Sequence, residues 1–130
     1  MDFSKFEETL GLSFNNKALL RQAFTHRSYI NENRSSGLAH NERLEYLGDA
    51  VLQLVTTDFL FRKFPEKDEG ELTSIRSALV NADTCAEVAK SLSMNDFLLL
   101  SKGESKDTGR ARQYILANTF EAIIGAIYLD

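Results

Sequence analysis

Apolar residues recur at helical spacing through most of the chain, and the run from Leu44 to Phe61 carries little that is polar beyond a thin stripe. Along that stripe Glu42, Glu45 and Asp49 stand at i, i+3 and i+7, and Gln53 and Thr56 continue the same arc at about 100° per residue. A segment this apolar is expected to be a mostly buried helix. Asn41 is a plausible cap for it, and it should end before Pro65, because proline disfavours helix at the preceding residue. Further helices are predicted on either side. Phe3–Leu10 reads as a short amphipathic helix closed by Gly11, and Asn15 or Asn16 can cap another from about Lys17 to Thr25. Tyr29–Gly37, rich in Asn and Ser, reads as a surface loop. Asp68-Glu69-Gly70-Glu71 has the form of a capping box, and Leu72, Ile75, Leu79 and Val80 follow at helical spacing. Asn81 should break that run from a second helix reaching about Leu92. Asp96–Leu100 is apolar but of undecided type, Lys102–Arg112 reads as a polar loop, and a last helix covers roughly Gln113–Leu129. The expected fold class is all-α, in one domain.

Composition agrees with that reading and narrows the function. A chain of 130 residues, 43% apolar and 26% charged with one proline, is long enough to bury a core as one globular unit. Its net charge of −4 argues against a sequence-independent nucleic-acid coat, though not against an enzyme whose acidic residues hold cations. A single cysteine, Cys85, excludes an internal disulfide and is expected as a small core residue, which suits a reducing compartment. Met1–Lys5 lacks the basic start and apolar run of an export signal, and no segment approaches the roughly 20 apolar residues that cross a bilayer. The cytoplasm is the expected location, with no membrane partner.

The candidate chemistry lies on the two long helices. Like charges beside an apolar surface repel one another and lose hydration, unless a cation joins them. On the last helix, Ile115, Leu116, Phe120, Ile123, Ile124, Ile127 and Tyr128 cover most of the circumference. Asn118 and Glu121 occupy a small polar gap beside Ala122 and Gly125. Those two small residues, with Gly48, would permit close approach of the helix backbones. If the stripes face each other, Glu45, Asp49, Asn118 and Glu121 converge as an all-oxygen cluster, which suits Mg²⁺ or Mn²⁺ better than zinc. A solvent-facing side is the ordinary alternative, and periodicity alone leaves the two open. His26 and His40 lack a second His or Cys at ligand spacing and read as structural hydrogen-bonders. Lys102, Lys106, Arg110 and Arg112 either touch phosphates or belong to a solvated loop. Arg76 could orient a carboxylate or a backbone near the site.

At these residues the chain resembles ribonuclease III. His40–Leu52 matches that family's signature helix, and the agreement extends in order to Thr25-His26-Arg27-Ser28-Tyr29, to Asp68-Glu69-Gly70-Glu71-Leu72 with Arg76, and to Ile115-Leu116-Ala117 followed by Phe120-Glu121-Ala122. The resemblance implies a homodimeric helical endonuclease domain that cuts double-stranded RNA with Mg²⁺, leaving 5′-phosphate and 3′-hydroxyl ends with a short 3′ overhang. It implies metal-binding roles for Glu45, Asp49 and Glu121, with Asp49 and Glu121 in catalysis. Glu42 and Glu69 match acidic positions near the same valley, and Tyr46 matches an aromatic that packs into the partner subunit. Two departures stand out. Asn118 replaces an aspartate, so the inner cluster carries about three negative charges rather than four and is expected to hold metal more weakly. A member that has lost cleavage and serves as a dimeric RNA-binding module is the alternative this favours. Family members also usually continue through another helix into a double-stranded-RNA-binding domain. Residues 1–130 are therefore expected to be the catalytic domain alone, stopping before its last helix, and to bind RNA weakly and with strong salt dependence.

Overall fold

A computed structural model describes all 130 residues. Seven α-helices run in the order α1 (Ser4–Leu10), α2 (Lys17–Ala23), α3 (Arg27–Glu32), α4 (Glu42–Lys63), α5 (Glu69–Leu79), α6 (Ala82–Ser91) and α7 (Arg110–Leu129). Short 3₁₀ turns at Arg34–Ser36, Met94–Phe97 and Glu104–Lys106 fill the connections, and the one β-type pairing is an isolated parallel bridge between Thr25 and Leu99. The expected all-α class holds.

Local chemistry explains most boundaries. Asn16 caps α2 by accepting from the Ala18 N–H. Asp68 and Glu71 form the reciprocal capping box at the start of α5. The Asn81 side chain joins two helices: it donates to the Ser77 carbonyl closing α5 and accepts from the Thr84 N–H opening α6. Gly11 takes the left-handed conformation (φ 64°) that lets α1 end, a backbone state costly for other residues.

The core forms where α7 packs against α4 and α6. Leu116, Ala117, Ala122, Ile123 and Ala126 of α7 meet Leu44 of α4 and Cys85, Ala86 and Ala89 of α6, all buried. At one end an aromatic group closes the core, with Phe3 stacked on Phe24 at 5.3 Å and Phe6 edge-on to Phe24 at 4.9 Å. Between α4 and α7 no side chains intervene at two points. A Cβ on Gly48 would fall on the Glu121 carbonyl, and one on Gly125 would fall on the Leu44 carbonyl. The two backbones touch there, as the small residues predicted.

Four expectations need correction. Tyr29–Gly37 is not simply a loop, because α3 occupies Arg27–Glu32. Its ends are satisfied locally, by His26 Nδ1 accepting from the Ser28 N–H and by Asn33 Nδ2 donating to the Tyr29 carbonyl. Asn41 stands at the start of α4 but does not cap it. Its buried amide instead donates to the Ala23 carbonyl, tying α4 to the end of α2. The last helix begins at Arg110, inside the stretch read as loop. Finally, α4 is far less buried than its composition suggested. Only Leu44, Gly48 and Leu60 are buried, while Tyr46, Leu54 and Phe61 are 84%, 69% and 70% exposed. One chain supplies only enough neighbours to cover part of an apolar helix this long.

Candidate metal centre

Because α4 and α7 cross at Gly48 and Gly125, the polar stripes flanking those glycines face one another. They line an open cleft of about 480 Å³ bounded by His26, Asn41, Glu42, Glu45, Tyr46, Asp49, Ile115, Asn118 and Glu121. All four residues expected to converge are therefore in one place, two from each helix. Glu45 and Glu121 are partly buried at the junction, whereas Asp49 and Asn118 are exposed at its mouth.

Electrostatics marks the carboxylates as mutually close and short of compensating charge. Burial, then the negative charges of Asp49 and Glu45, pushes the Glu121 carboxyl up to about 7. Burial also raises Glu45, helped by Glu42 and Asp49. No basic side chain bonds to either. Glu42 differs: Arg27 pairs with it at 2.6 Å on the exposed rim, so its charge is already met. The donor set is all oxygen, with three carboxylates and one amide, which fits a hard divalent cation. No three acidic, histidine or cysteine side chains are drawn tightly enough together to grip an ion by themselves. Water, the Asn118 amide or a substrate oxygen would have to complete the shell, as Mg²⁺ ordinarily requires.

Other candidate residues are dispersed. Glu69 lies with Thr57, Leu60, Pro65 and Arg76 in a separate cleft at the far end of α4. Arg76 donates to Thr57 Oγ1 at 2.9 Å and does not reach the acidic cleft. Arg112 is buried, not a phosphate contact; its guanidinium donates to Asn95 Oδ1 at 2.7 Å and to the Glu104 carbonyl at 2.8 Å. His40 Nδ1 faces the Glu42 N–H at the start of α4, a structural role as expected. Asn41 and Ile115 are lining residues that sequence reasoning missed. His26, expected as a structural hydrogen-bonder, also lines the cleft, half-buried, with its pKa lowered chiefly by that burial. Its place beside the stripe depends on the Thr25–Leu99 bridge, a contact between segments remote in sequence.

Comparison with known proteins gives a consistent pattern. A family model described as ribonuclease-III-like matches residues 16–130. Ribonuclease 3 of Oceanobacillus iheyensis is 50% identical over 130 residues, covering 100% of this chain and 57% of that protein. Ribonuclease 3 of Carboxydothermus hydrogenoformans is 52% identical over 124 residues, covering 95% of this chain and 53% of its own length. The chain thus spans a little over half the length of these curated relatives. Among solved structures, the nuclease domain of ribonuclease III from Campylobacter jejuni superposes with a TM-score of 0.89 at 44% identity, covering 98% of this chain and 85% of that one; it is described as flexible in a region involved in dimer formation. Dicer from Pichia stipitis matches with a TM-score of 0.66 at 30% identity, over 91% of this chain and 47% of its own.

Proposed function

This chain belongs to the ribonuclease-III-like family, and on that premise we propose that it is the catalytic domain of a cytoplasmic, double-strand-specific endoribonuclease that works as a homodimer. The observation that carries the reading is the meeting of Glu45, Asp49, Asn118 and Glu121 in one cleft between α4 and α7. Those four residues would hold Mg²⁺, or Mn²⁺ in its place. A cation held there would supply an activated water and offset charge on the leaving oxygen, chemistry that leaves 5′-phosphate and 3′-hydroxyl ends. Asp49 and Glu121 carry the negative charge that orients the reacting centre, and Asn118 adds a neutral oxygen. No side chain in the cleft serves as a nucleophile. A duplex lying across the open mouth would be read mainly through phosphates and 2′-hydroxyls. Exposed Tyr46, Leu54 and Phe61 on α4 give a second copy an apolar surface to cover.

The test is cleavage of labelled duplex RNA by wild type and Glu121→Ala, with and without Mg²⁺. Metal-dependent cutting that disappears in the variant supports the enzyme. Binding of duplex without cutting would favour the alternative that Asn118 raises, a cleavage-deficient RNA-binding member.

A further inference from the structure

One polar group on the rim of the acidic cleft has no partner in the protein. His26 Nδ1 accepts from the Ser28 N–H at 3.2 Å and lies 2.8 Å from Ser28 Oγ, which itself accepts from the Ser101 N–H at 3.0 Å. The Ser28 N–H has only its hydrogen to offer, so Nδ1 takes it as an acceptor. A ring nitrogen that accepts a backbone N–H is unprotonated, so the imidazole hydrogen resides on Nε2. That Nε2–H makes no hydrogen bond to any protein atom and is not sealed from solvent. The backbone around the ring is fixed on both sides: the His26 N–H donates to the Leu99 carbonyl at 3.0 Å, and the Asn41 N–H donates to the Thr25 carbonyl at 2.9 Å. The result is an oriented, neutral donor among the side chains lining the same cleft as Glu45, Asp49 and Glu121.

We propose that His26 is a substrate-contacting residue whose Nε2–H donates to a backbone oxygen of the RNA strand entering the cleft. The proposal rests on the nuclease reading above and adds a named contact to it. A donor cannot ligate a cation, so the ring complements the metal-binding residues rather than joining them. Its acceptor must be an oxygen brought by the substrate, either a non-bridging phosphate oxygen or a 2′-hydroxyl.

The experiment separates this contact from the ring's structural work. His26→Asn retains a side-chain oxygen at the start of α3 to accept the Ser28 N–H, but it is too short to replace Nε2–H in the cleft. His26→Ala loses both. His26→Asn is expected to melt within a few degrees of wild type while kcat/KM on duplex RNA falls about ten- to a hundredfold, the loss of one hydrogen bond to a strongly accepting group. Duplexes carrying a single methylphosphonate, or a single 2′-deoxy sugar, are then scanned along the strand. At the contacted position one of these should slow wild type about tenfold and slow His26→Asn no further, which also says which oxygen is the acceptor. Imidazole ¹⁵N resonances should report the Nε2–H tautomer and move on adding duplex to the metal-free protein. Full activity in His26→Asn, additive losses at every scanned position, or a ring protonated at Nδ1 would overturn the contact alone. A wild-type protein that neither binds nor cuts duplex RNA would overturn the nuclease reading and this contact with it.

Discussion

Gly48→Ala is the sharpest probe of how the two halves of the centre are held together. The added Cβ would lie 2.6 Å from the Glu121 carbonyl carbon and 2.9 Å from the Gly125 nitrogen, and closer still to the Glu121 carbonyl oxygen. These atoms are backbone of α7, so no rotamer change relieves the overlap. Restoring ordinary contact means moving α7 from α4 by about 1 Å or more, against a close-packed core. Overpacking of this kind costs about 3 kcal/mol at the upper end of its usual range, and the gain from replacing a helical glycine by alanine returns about 1 kcal/mol. The net loss is therefore about 2 kcal/mol. With an unfolding entropy of about 2.1 cal/mol/K per residue over 130 residues, that lowers the melting temperature by roughly 7 °C. The same movement separates Glu121 from Asp49, so cleavage well below the melting point should fall about tenfold or more, beyond any change in the folded fraction. Circular dichroism melts and duplex-cleavage rates measure the two effects. Gly70→Ala is the control, since its Cβ would meet only Asp68 Oδ1, at 3.4 Å. If Gly48→Ala melted at or above wild type and cut RNA at the wild-type rate, the argument that bare backbones fix the site would be refuted.

Other consequences can be checked independently. Glu121 has a folded pKa of about 7 against an ordinary 4.5, so its protonated form is favoured by folding. Its contribution to stability is full below about pH 4.5 and is lost as the pH rises through about 7. Glu121→Gln should remove that slope and leave the metal-free protein about 1–2 kcal/mol more stable than wild type at pH 8, a figure discounted for partial exposure, while abolishing cleavage; denaturant melts at pH 5 and pH 8 that show no gain would contradict it. Asn118→Asp restores a fourth negative charge and should lower the Mg²⁺ needed for half-maximal cleavage several-fold. Superimposable Mg²⁺ titrations of the two proteins would remove that idea. Arg112→Met strands the Asn95 side chain and the Glu104 carbonyl, and should cost about 2–4 kcal/mol in thermal or denaturant unfolding without changing the salt dependence of RNA binding. A shallower salt slope at unchanged stability would instead return Arg112 to the role of a phosphate contact. On the proposed pairing through this face, wild type sediments as a dimer and Leu54→Asp combined with Phe61→Asp as a monomer; an unaltered sedimentation profile would place the subunit contact elsewhere.

Sequence alone determined whatever depends on neighbours within a few residues. The capping box at Asp68–Glu71, the break at Asn81, the end of α4 before Pro65 and the arc joining Glu42, Glu45 and Asp49 are products of helix geometry, so spacing revealed them. The pairing of that arc with Asn118 and Glu121 was legible as a possibility, because Gly48 and Gly125 are what two helices need to touch. Tertiary structure decided the rest. It placed the stripes face to face and raised Glu121, since burial and neighbouring charge depend on what packs nearby. Arg112 was drawn into the interior through Asn95 and the Glu104 carbonyl, partners that its own residue type could not announce. His26 reached the cleft through a bridge from Thr25 to Leu99, a separation that no periodicity spans. The apolar α4 also kept Tyr46, Leu54 and Phe61 exposed, because hydrophobic patterning states that a face should be covered but not by which chain.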